Sequence, residues 1–274
     1  MLEQMQPYVC VITAIYGSYE ISCKRIEPQT IPTDFICFTD NVNIQNEYGW
    51  TIDTTPYHLL NKSPLDKDCY INSLCNNSHT FNITKYYKTA FKNIPRLQHY
   101  KAILWIDGTL EIIYDKMSEY ILKNIDKYKI IAFNHEIHHG SLFHETYASL
   151  GSDRYISTFH HNQHQPYQDV IQQYKDYIGS NFNEDIFRCI CSDNVNYGLW
   201  ITCFVVFHNH DERITDFLDK WYYEILTRTT QDQISFPFVC QMCSVFPYTL
   251  PDDEIEGQFP HKSTMFYIKH KHGL

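Results

Sequence analysis

The chain has 274 residues and a formal net charge of −10 at pH 7, from 22 lysine and arginine residues against 32 aspartate and glutamate residues. This acidic balance argues against a nucleic-acid partner, because nonspecific nucleic-acid binders present basic surfaces. No apolar run approaches the roughly 18–20 residues of a membrane-spanning helix, so the sequence predicts no transmembrane segment.

Strands and helices are predicted to alternate along the first half of the chain. Apolar runs predict strands at Tyr8 to Ile15, Phe35 to Phe38, Trp50 to Ile52, Ile103 to Ile106 and Ile130 to Phe133. Helical spacing predicts helices at Lys85 to Ile94 and Asp115 to Tyr128. This alternation is typical of an α/β protein with a Rossmann-like, mostly parallel central sheet flanked by helices.

The alternation of predicted strands and helices becomes less regular after Asn134, where a region rich in histidine and asparagine begins. Beyond it the sequence predicts a strand at Leu199 to His208, and helices at Tyr167 to Ile178, Ile214 to Leu226 and Ile234 to Phe246. No internal repeat or low-complexity linker interrupts the chain, which favours one domain over residues 1–274 with an insertion at Ser141 to Cys191.

The most informative segment is the apolar run Ala102 to Ile106, which ends in Asp107-Gly108-Thr109. A buried strand of an α/β protein delivers the residue that follows it to the crevice where ligands bind. One carboxylate, with phosphate oxygens and waters, can hold Mg²⁺ or Mn²⁺, because these ions take few protein ligands. Asp107 is therefore a predicted metal ligand. His261, with His270 behind it, is the candidate to complete the coordination, and an imidazole favours Mn²⁺.

Polar groups also follow the first two predicted strands. The turn Tyr16-Gly17-Ser18-Tyr19 lacks the spacing of a dinucleotide GxGxxG motif and of a P-loop. It is either a bend on which a base or ribose packs or an ordinary strand-to-helix turn. Asp40 is either an acceptor for a ribose hydroxyl or a base N–H, or the N-cap of a helix.

Asp232 opens the last long predicted helix. A carboxylate at a helix N-terminus is stabilised in its ionised form by the free N–H groups and the helix dipole. One interpretation is that helix capping alone accounts for this residue. The alternative is that ionised Asp232 acts as a general base toward an attacking hydroxyl, or stabilises an oxocarbenium-like transition state.

The segment His135-Glu136-Ile137-His138-His139 satisfies the H-E-x-x-H pattern of zinc proteases. That mechanism needs both histidines on one face of a helix with the glutamate between them. Here the segment follows a predicted strand directly and Gly140 comes next, which leaves little room for a helix. The sequence therefore disfavours a metalloprotease.

Short motifs follow one another in a characteristic order over residues 8–245. They are Thr13-Ala14-Ile15-Tyr16-Gly17, Cys37-Phe38-Thr39-Asp40, Lys85 or Lys88, Trp105-Ile106-Asp107-Gly108, His135 with Glu145, Gly198-Leu199-Trp200, Trp221-Tyr222 and Asp232-Gln233-Ile234-Ser235-Phe236. This series resembles the glycosyltransferase-like domain family of plant seed-mucilage hexosyltransferase-like proteins, some of which are also labelled alkaline ceramidases.

The resemblance implies a GT-A glycosyltransferase fold, with a nucleotide-binding half over about residues 1–134 and an acceptor half over about residues 135–274. It implies that the donor is bound by Thr13, Ala14, Tyr16, Asp40, Lys88, Asp107 and Gln233, with Asp232 as the catalytic group facing the sugar and acceptor. In this scheme Lys88 neutralises the diphosphate of the donor. Gln231 stands where the family commonly has arginine, which removes a cation beside that diphosphate.

The resulting hypothesis is an enzyme that moves a hexose or pentose from a nucleoside diphosphate sugar to a glycan hydroxyl with Mn²⁺ or Mg²⁺. The resemblance implies that this donor is UDP-linked. Two alternatives stay open. One is a metal-dependent amidohydrolase of ceramide type, with its metal held by the histidine segment. The other is a noncatalytic glycan-binding relative. In such a relative the metal-binding segment would be reduced to Asp107-Gly108-Thr109 and would have lost its function. The membrane anchor of the plant relatives is missing, which predicts a cytoplasmic protein of viral or bacterial type.

Overall fold

The structure is a computed structural model that describes residues 8–17, 19–57, 80–135, 138, 140–152, 157, 159–160, 163–164, 169–186, 198–250, 255–256, 262–263 and 266–268. The strands are β1 (Val9–Ile15), β2 (Thr33–Thr39), β3 (Thr51–Asp53), β4 (Ala102–Ile106), β5 (Leu110–Ile112), β6 (Ile130–Asn134), β7 (Phe159–His160), β8 (Gln163–His164), β9 (Trp200–His208), β10 (Tyr248–Leu250), β11 (Ile255–Glu256), β12 (Lys262–Ser263) and β13 (Phe266–Ile268). The α-helices are α1 (Thr80–Thr89), α2 (Met117–Ile125), α3 (Leu142–Leu150), α4 (Val170–Gly179), α5 (Glu212–Thr227) and α6 (Asp232–Cys243).

Seven of the described strands form the central sheet, in the order β10-β6-β9-β4-β1-β2-β3. Strand β4 pairs in parallel with β1, β1 with β2, and β2 with β3, while β6 pairs in parallel with β10. Only β9, among these seven, runs antiparallel to its neighbours, which are β4 and β6. The predicted α/β class with a mostly parallel sheet flanked by helices is confirmed.

The sequence of strand β1 is almost entirely apolar because the strand is buried on both faces of the sheet. Its alternate residues point to opposite faces of the sheet, and helices cover both faces. Ile12 belongs to the core formed with α1, α5 and α6, and Val11 belongs to the core formed with α2. Both side chains are fully buried, so neither face of this strand has a position for a polar residue.

Several predicted bounds shift in the structure. Helix α1 begins at Thr80 instead of Lys85 and ends at Thr89, and the chain continues through short 3₁₀ turns at Phe91–Asn93 and Pro95–Leu97. Pro95, the residue directly after the predicted helix, starts the second of these turns.

Helix α3 was not predicted from the sequence. Ser141 caps it, since the Ser141 hydroxyl accepts a hydrogen bond from the backbone N–H of His144 at 3.5 Å. The helix packs against α4 and also contacts α6. A second sheet, in the order β11-β12-β13-β5, pairs the segment after β4 with strands near the C-terminus.

The carboxyl ends of β1, β2, β4 and β6 lie along one edge of the central sheet, and the antiparallel β9 begins there. In open α/β sheets ligands bind in the crevice outside this edge. None of the described helices is both long and apolar enough to span a bilayer.

Candidate active site

Two lysines and two aspartates meet at the carboxyl edge of the sheet and form what is here termed the lysine–aspartate cluster: Lys85, Lys88, Asp107 and Asp232. The Asp232 carboxylate pairs with Lys85 through Oδ1 at 2.8 Å and with Lys88 through Oδ2. Lys88 Nζ also lies 3.8 Å from Asp107 Oδ1. The structure thus brings together four residues that the sequence assigned to three separate motifs.

Each member reaches the cluster because of its place in an element. Lys85 and Lys88 are three residues apart on α1, a spacing that puts them on the same side of a helix. Asp107 follows β4 directly, and Asp232 is the first residue of α6. The Trp221 indole N–H, from α5, donates to the Asp232 carbonyl at 3.0 Å and so holds this helix start in place.

The charges of Lys88 and Asp232 stabilise each other, and both side chains are buried. Lys88 has only 1% of its side chain exposed, and its ammonium group lies 5.7 Å from the centre of the Trp105 ring and 5.6 Å from that of Trp221. Aromatic ring faces attract cations at such distances. Burial opposes ionisation of Asp232, but Lys85 and Lys88 outweigh it and lower the pKa of this carboxyl from 3.8 to about 2.

Asp107 is the accessible acid of the cluster. Its side chain is 42% exposed, against 5% for Asp232. The Trp105 indole N–H donates to Asp107 Oδ1 at 2.8 Å and fixes the orientation of the carboxylate. Thr109, which ends the Asp107-Gly108-Thr109 segment, is buried. Asp107 is therefore the one exposed carboxylate at this corner of the described chain.

Gly108 lets this corner pack closely against β1. A Cβ at position 108 would lie 2.8 Å from Ile15 Cγ1, a distance that side chains do not tolerate, and 3.8 Å from Thr13 Oγ1. The Thr13 hydroxyl is buried and has no hydrogen-bond partner among the described residues. A buried polar atom without a partner is thus present next to the Asp107 turn.

Three side chains at the end of β1 and directly after it, which were predicted to contact a nucleotide, are buried. Thr13, Ala14 and Tyr16 have exposed fractions of 2%, 6% and 4%. The Tyr16 hydroxyl hydrogen-bonds that of Tyr87 at 2.7 Å, and the two rings stack with a centroid separation of 5.4 Å. Burial also raises the pKa of the Tyr16 hydroxyl well above its usual value. Because these side chains are buried, a ligand at the carboxyl edge of the sheet would contact the backbone of the turn after β1.

Asp40 is exposed and joins the turns after β1 and β2. Its two carboxylate oxygens accept hydrogen bonds from the Gly17 backbone N–H at 3.1 and 3.2 Å. No helix follows Asp40 within residues 41–50, so the N-cap alternative weighed for this residue is wrong. The residue instead caps the neighbouring turn.

Of the remaining predicted site residues, the structure describes Gln233 but not His261. The Gln233 side-chain oxygen accepts a hydrogen bond from the backbone N–H of Thr202 at 3.2 Å, which ties the start of α6 to β9. His261, the predicted second metal ligand, lies outside the described residues, as does His270.

A second group of possible ligands lies at the end of β6. His135, His138 and Glu145 each offer one donor atom, and these atoms all lie within 4.8 Å of one another. His135 is therefore paired with His138 and Glu145, whereas the H-E-x-x-H pattern would pair it with His139, which is outside the described residues. Sequence reasoning placed His135 and Glu145 in one motif series but assigned them no shared role.

Comparisons with known proteins give no family assignment. No protein-family model and no curated protein matches the chain. Similar solved structures include mouse xyloside xylosyltransferase 1 in its apo form, at 7% identity and a TM-score of 0.43 over 90% of this chain and 86% of that one. They also include the apo WbbM bifunctional glycosyltransferase, at 8% identity and a TM-score of 0.45 over 91% of this chain. A third is the mannosyltransferase Ktr4p from S. cerevisiae, at 10% identity and a TM-score of 0.34 over 85% of this chain.

The chain spans 39% of the WbbM chain and 62% of the Ktr4p chain.

Proposed function

We propose that this chain is a GT-A glycosyltransferase that transfers a sugar from a UDP-linked donor to a glycan hydroxyl. The observation that carries the proposal is the lysine–aspartate cluster at the carboxyl edge of the sheet, with Asp107 as its exposed acid. The order of short motifs over residues 8–245 supports the same family. In this proposal about residues 1–134 bind the nucleotide and about residues 135–274 bind the acceptor.

A single divalent cation, Mn²⁺ or Mg²⁺, fits at Asp107. The carboxylate is exposed, and Trp105 holds it through Oδ1 only. Such ions are commonly held by one or two carboxylates together with substrate phosphates and waters. When bound there, the cation would stabilise the negative charge that develops on the departing diphosphate.

The charge balance of the cluster fits an anionic donor. Two ammonium groups and two carboxylates cancel, so a divalent cation on Asp107 would leave the site positive. Lys85, whose side chain is 16% exposed, is the lysine that can reach a diphosphate without unburying Lys88. Preorganised cations of this kind stabilise a transition state because they need no reorganisation during the reaction.

We assign Asp232 to the orientation of the two lysines. A carboxylate with a pKa of about 2 takes up a proton poorly near neutral pH, where an effective general base needs a higher value. The contacts of Asp232 therefore favour a positioning role over the general-base role predicted from its sequence context. Gln233 and Asp40 support the same edge, Gln233 by anchoring α6 to β9 and Asp40 by closing the turn at Gly17.

The proposal is tested by the release of UDP from a panel of UDP-sugars in the presence of Mn²⁺ and oligosaccharide acceptors. Asp107→Asn keeps the size of the side chain and removes its charge, so we expect it to lower the rate by about 10²–10³-fold, as for other lost charge-stabilising groups. Asp126→Asn is the matched control, since Asp126 is an exposed acid that pairs with Lys101 outside the cluster.

Full activity of Asp107→Asn would overturn the assignment of this corner as the donor site. Binding of UDP without turnover of any sugar would instead favour the noncatalytic glycan-binding alternative.

A further inference from the structure

We propose that His135, His138 and Glu145 form a binding site for a zinc-class transition-metal ion, separate from the cation site at Asp107. Glu145 Oε2 hydrogen-bonds His138 Nδ1 and lies 3.8 Å from His135 Nε2. The two imidazole rings stack with centroids 4.5 Å apart and planes 11° from parallel. Tetrahedral zinc sites with bonds of about 2.0–2.2 Å place ligand atoms about 3.3 Å apart. The three donor atoms, within 4.8 Å of one another, therefore need only small side-chain rotations to bind one ion.

The Glu145 carboxylate is buried and oriented as a metal ligand would be. The residue is 3% exposed. Its Oε1 accepts hydrogen bonds from Gln231 Nε2 at 2.8 Å and from Ser149 Oγ at 3.4 Å, which leaves Oε2 toward the two imidazoles. Metal-binding carboxylates are held by outer hydrogen bonds of this kind.

The burial of Glu145 also calls for a positive partner. A buried carboxylate is costly unless a cation compensates its charge. Among the residues that the structure describes, no lysine or arginine pairs with Glu145, and the groups at Oε2 are the two histidines. A divalent ion between these three side chains would compensate the charge of the Glu145 carboxylate.

The donor set selects the class of ion. Two imidazoles and one carboxylate suit zinc and neighbouring first-row metals, whereas Mg²⁺ and Ca²⁺ prefer oxygen ligands throughout. The described residues supply three ligands, and three protein ligands with one further position is the arrangement of catalytic zinc sites. The side chain of His138 is 23% exposed, so this ligand is in contact with solvent.

The site is coupled to the lysine–aspartate cluster through the chain. Gln231, which holds Glu145, directly precedes Asp232, which holds Lys85 and Lys88. Gln231 Nε2 also donates to Ser149 Oγ at 2.9 Å. A metal that fixes Glu145 would therefore also fix the segment that positions the two lysines. Gln231 is a positioning residue in this scheme.

The test is isothermal titration of the metal-stripped full chain with Zn²⁺, followed by Co²⁺ substitution and visible spectroscopy. We expect one tight Zn²⁺ per chain and a Co²⁺ spectrum of low coordination number. Glu145→Gln and His138→Ala should abolish the tight site, and circular dichroism should show that each variant is folded. Gln231→Ala should keep the stoichiometry and weaken the affinity by about 10–100-fold, the usual effect of losing an outer-shell hydrogen bond.

His144→Ala is the matched control, because His144 is an exposed histidine on the same helix, adjacent to Glu145. It should bind Zn²⁺ as the unsubstituted chain does. The proposal is overturned if the folded chain takes up no tight Zn²⁺, or if Glu145→Gln and His138→Ala retain it, which would assign the metal to other histidines. These readouts do not involve a nucleotide, so their failure is distinguishable from failure of the proposed glycosyl transfer.

Discussion

Asp107 and Asp232 share a contact with Lys88 but differ sharply in exposure. Asp232 has 5% of its side chain exposed and pairs with two lysines, whereas Asp107 has 42% exposed. Asp232 therefore acts as a fixed counter-charge, and Asp107 is the acid that a ligand can reach. Both aspartates were predicted as site residues because each stands at the end of an element. The difference between the two aspartates is their exposure, which depends on tertiary packing. The residues next to each aspartate in the sequence do not determine it.

Asp232→Asn is expected to destabilise the folded chain. Removing one partner of a buried ion pair leaves an uncompensated charge, here on Lys88, so we expect the free energy of unfolding at neutral pH to fall by about 3–5 kcal/mol. The measurement is urea unfolding. As a matched control, Asp216→Asn breaks an exposed pair with Lys220 on α5 and should cost no more than about 1 kcal/mol.

The effect of Asp232→Asn should also depend on pH. The pKa of Asp232 is lower in the folded chain than its usual 3.8, so its contribution to stability is present above that value and is lost as pH falls toward about 2. Asparagine does not titrate. The difference in unfolding free energy between the two proteins should therefore narrow by about 1 kcal/mol between about pH 6 and pH 3. A constant difference over this range would show that Asp232 does not have the lowered pKa.

At the scale of elements, the turn after β1 depends on a glycine. Gly17 has a positive φ of 66°, and a Cβ there would lie 2.9 Å from Thr80 Cγ2 at the start of α1. The turn also donates its Gly17 N–H to Asp40. One residue thus controls how closely β1, α1 and the end of β2 approach one another.

Gly17→Ala should therefore destabilise the chain by at least about 1–2 kcal/mol, the cost of a left-handed backbone for an L-residue. Gly179→Ala is the control, since Gly179 ends α4 with open space around its Cβ position and no positive φ. It should be neutral or stabilise by up to about 1 kcal/mol. Equal melting temperatures for the two variants would contradict the strain assigned to Gly17.

Element prediction succeeded where burial produces a clear pattern and failed where it does not. Strands β1 and β4 are buried on both faces, so each reads as a continuous apolar run. The position of β9 was predicted well, but its antiparallel direction was not, because strand direction depends on the connections around it. Helix α3 was missed because its buried positions include Glu145, Thr146 and Ser149, which give no apolar stripe.

At the scale of the whole molecule, the two clusters lie near one helix start. The lysine–aspartate cluster includes Asp232, and the candidate zinc site is held by Gln231. The sequence could predict Asp107, Lys88 and Asp232 as one site through their resemblance to a known motif series. It could not predict the connection of Glu145 to Gln231, because these residues are 86 positions apart and meet only when α3 packs beside α6.

We propose that the carboxyl edge of the sheet binds a nucleoside diphosphate with a divalent cation at Asp107. The most direct measurement is the melting temperature of the chain with UDP or GDP, with and without Mn²⁺. A ligand at 100 times its Kd stabilises by about 2.7 kcal/mol, which corresponds to a rise of roughly 5 °C for a chain of this size. We predict this rise for UDP with Mn²⁺, and its loss in Asp107→Asn. An unchanged melting temperature with saturating UDP and GDP, in the presence and absence of Mn²⁺, would contradict the account.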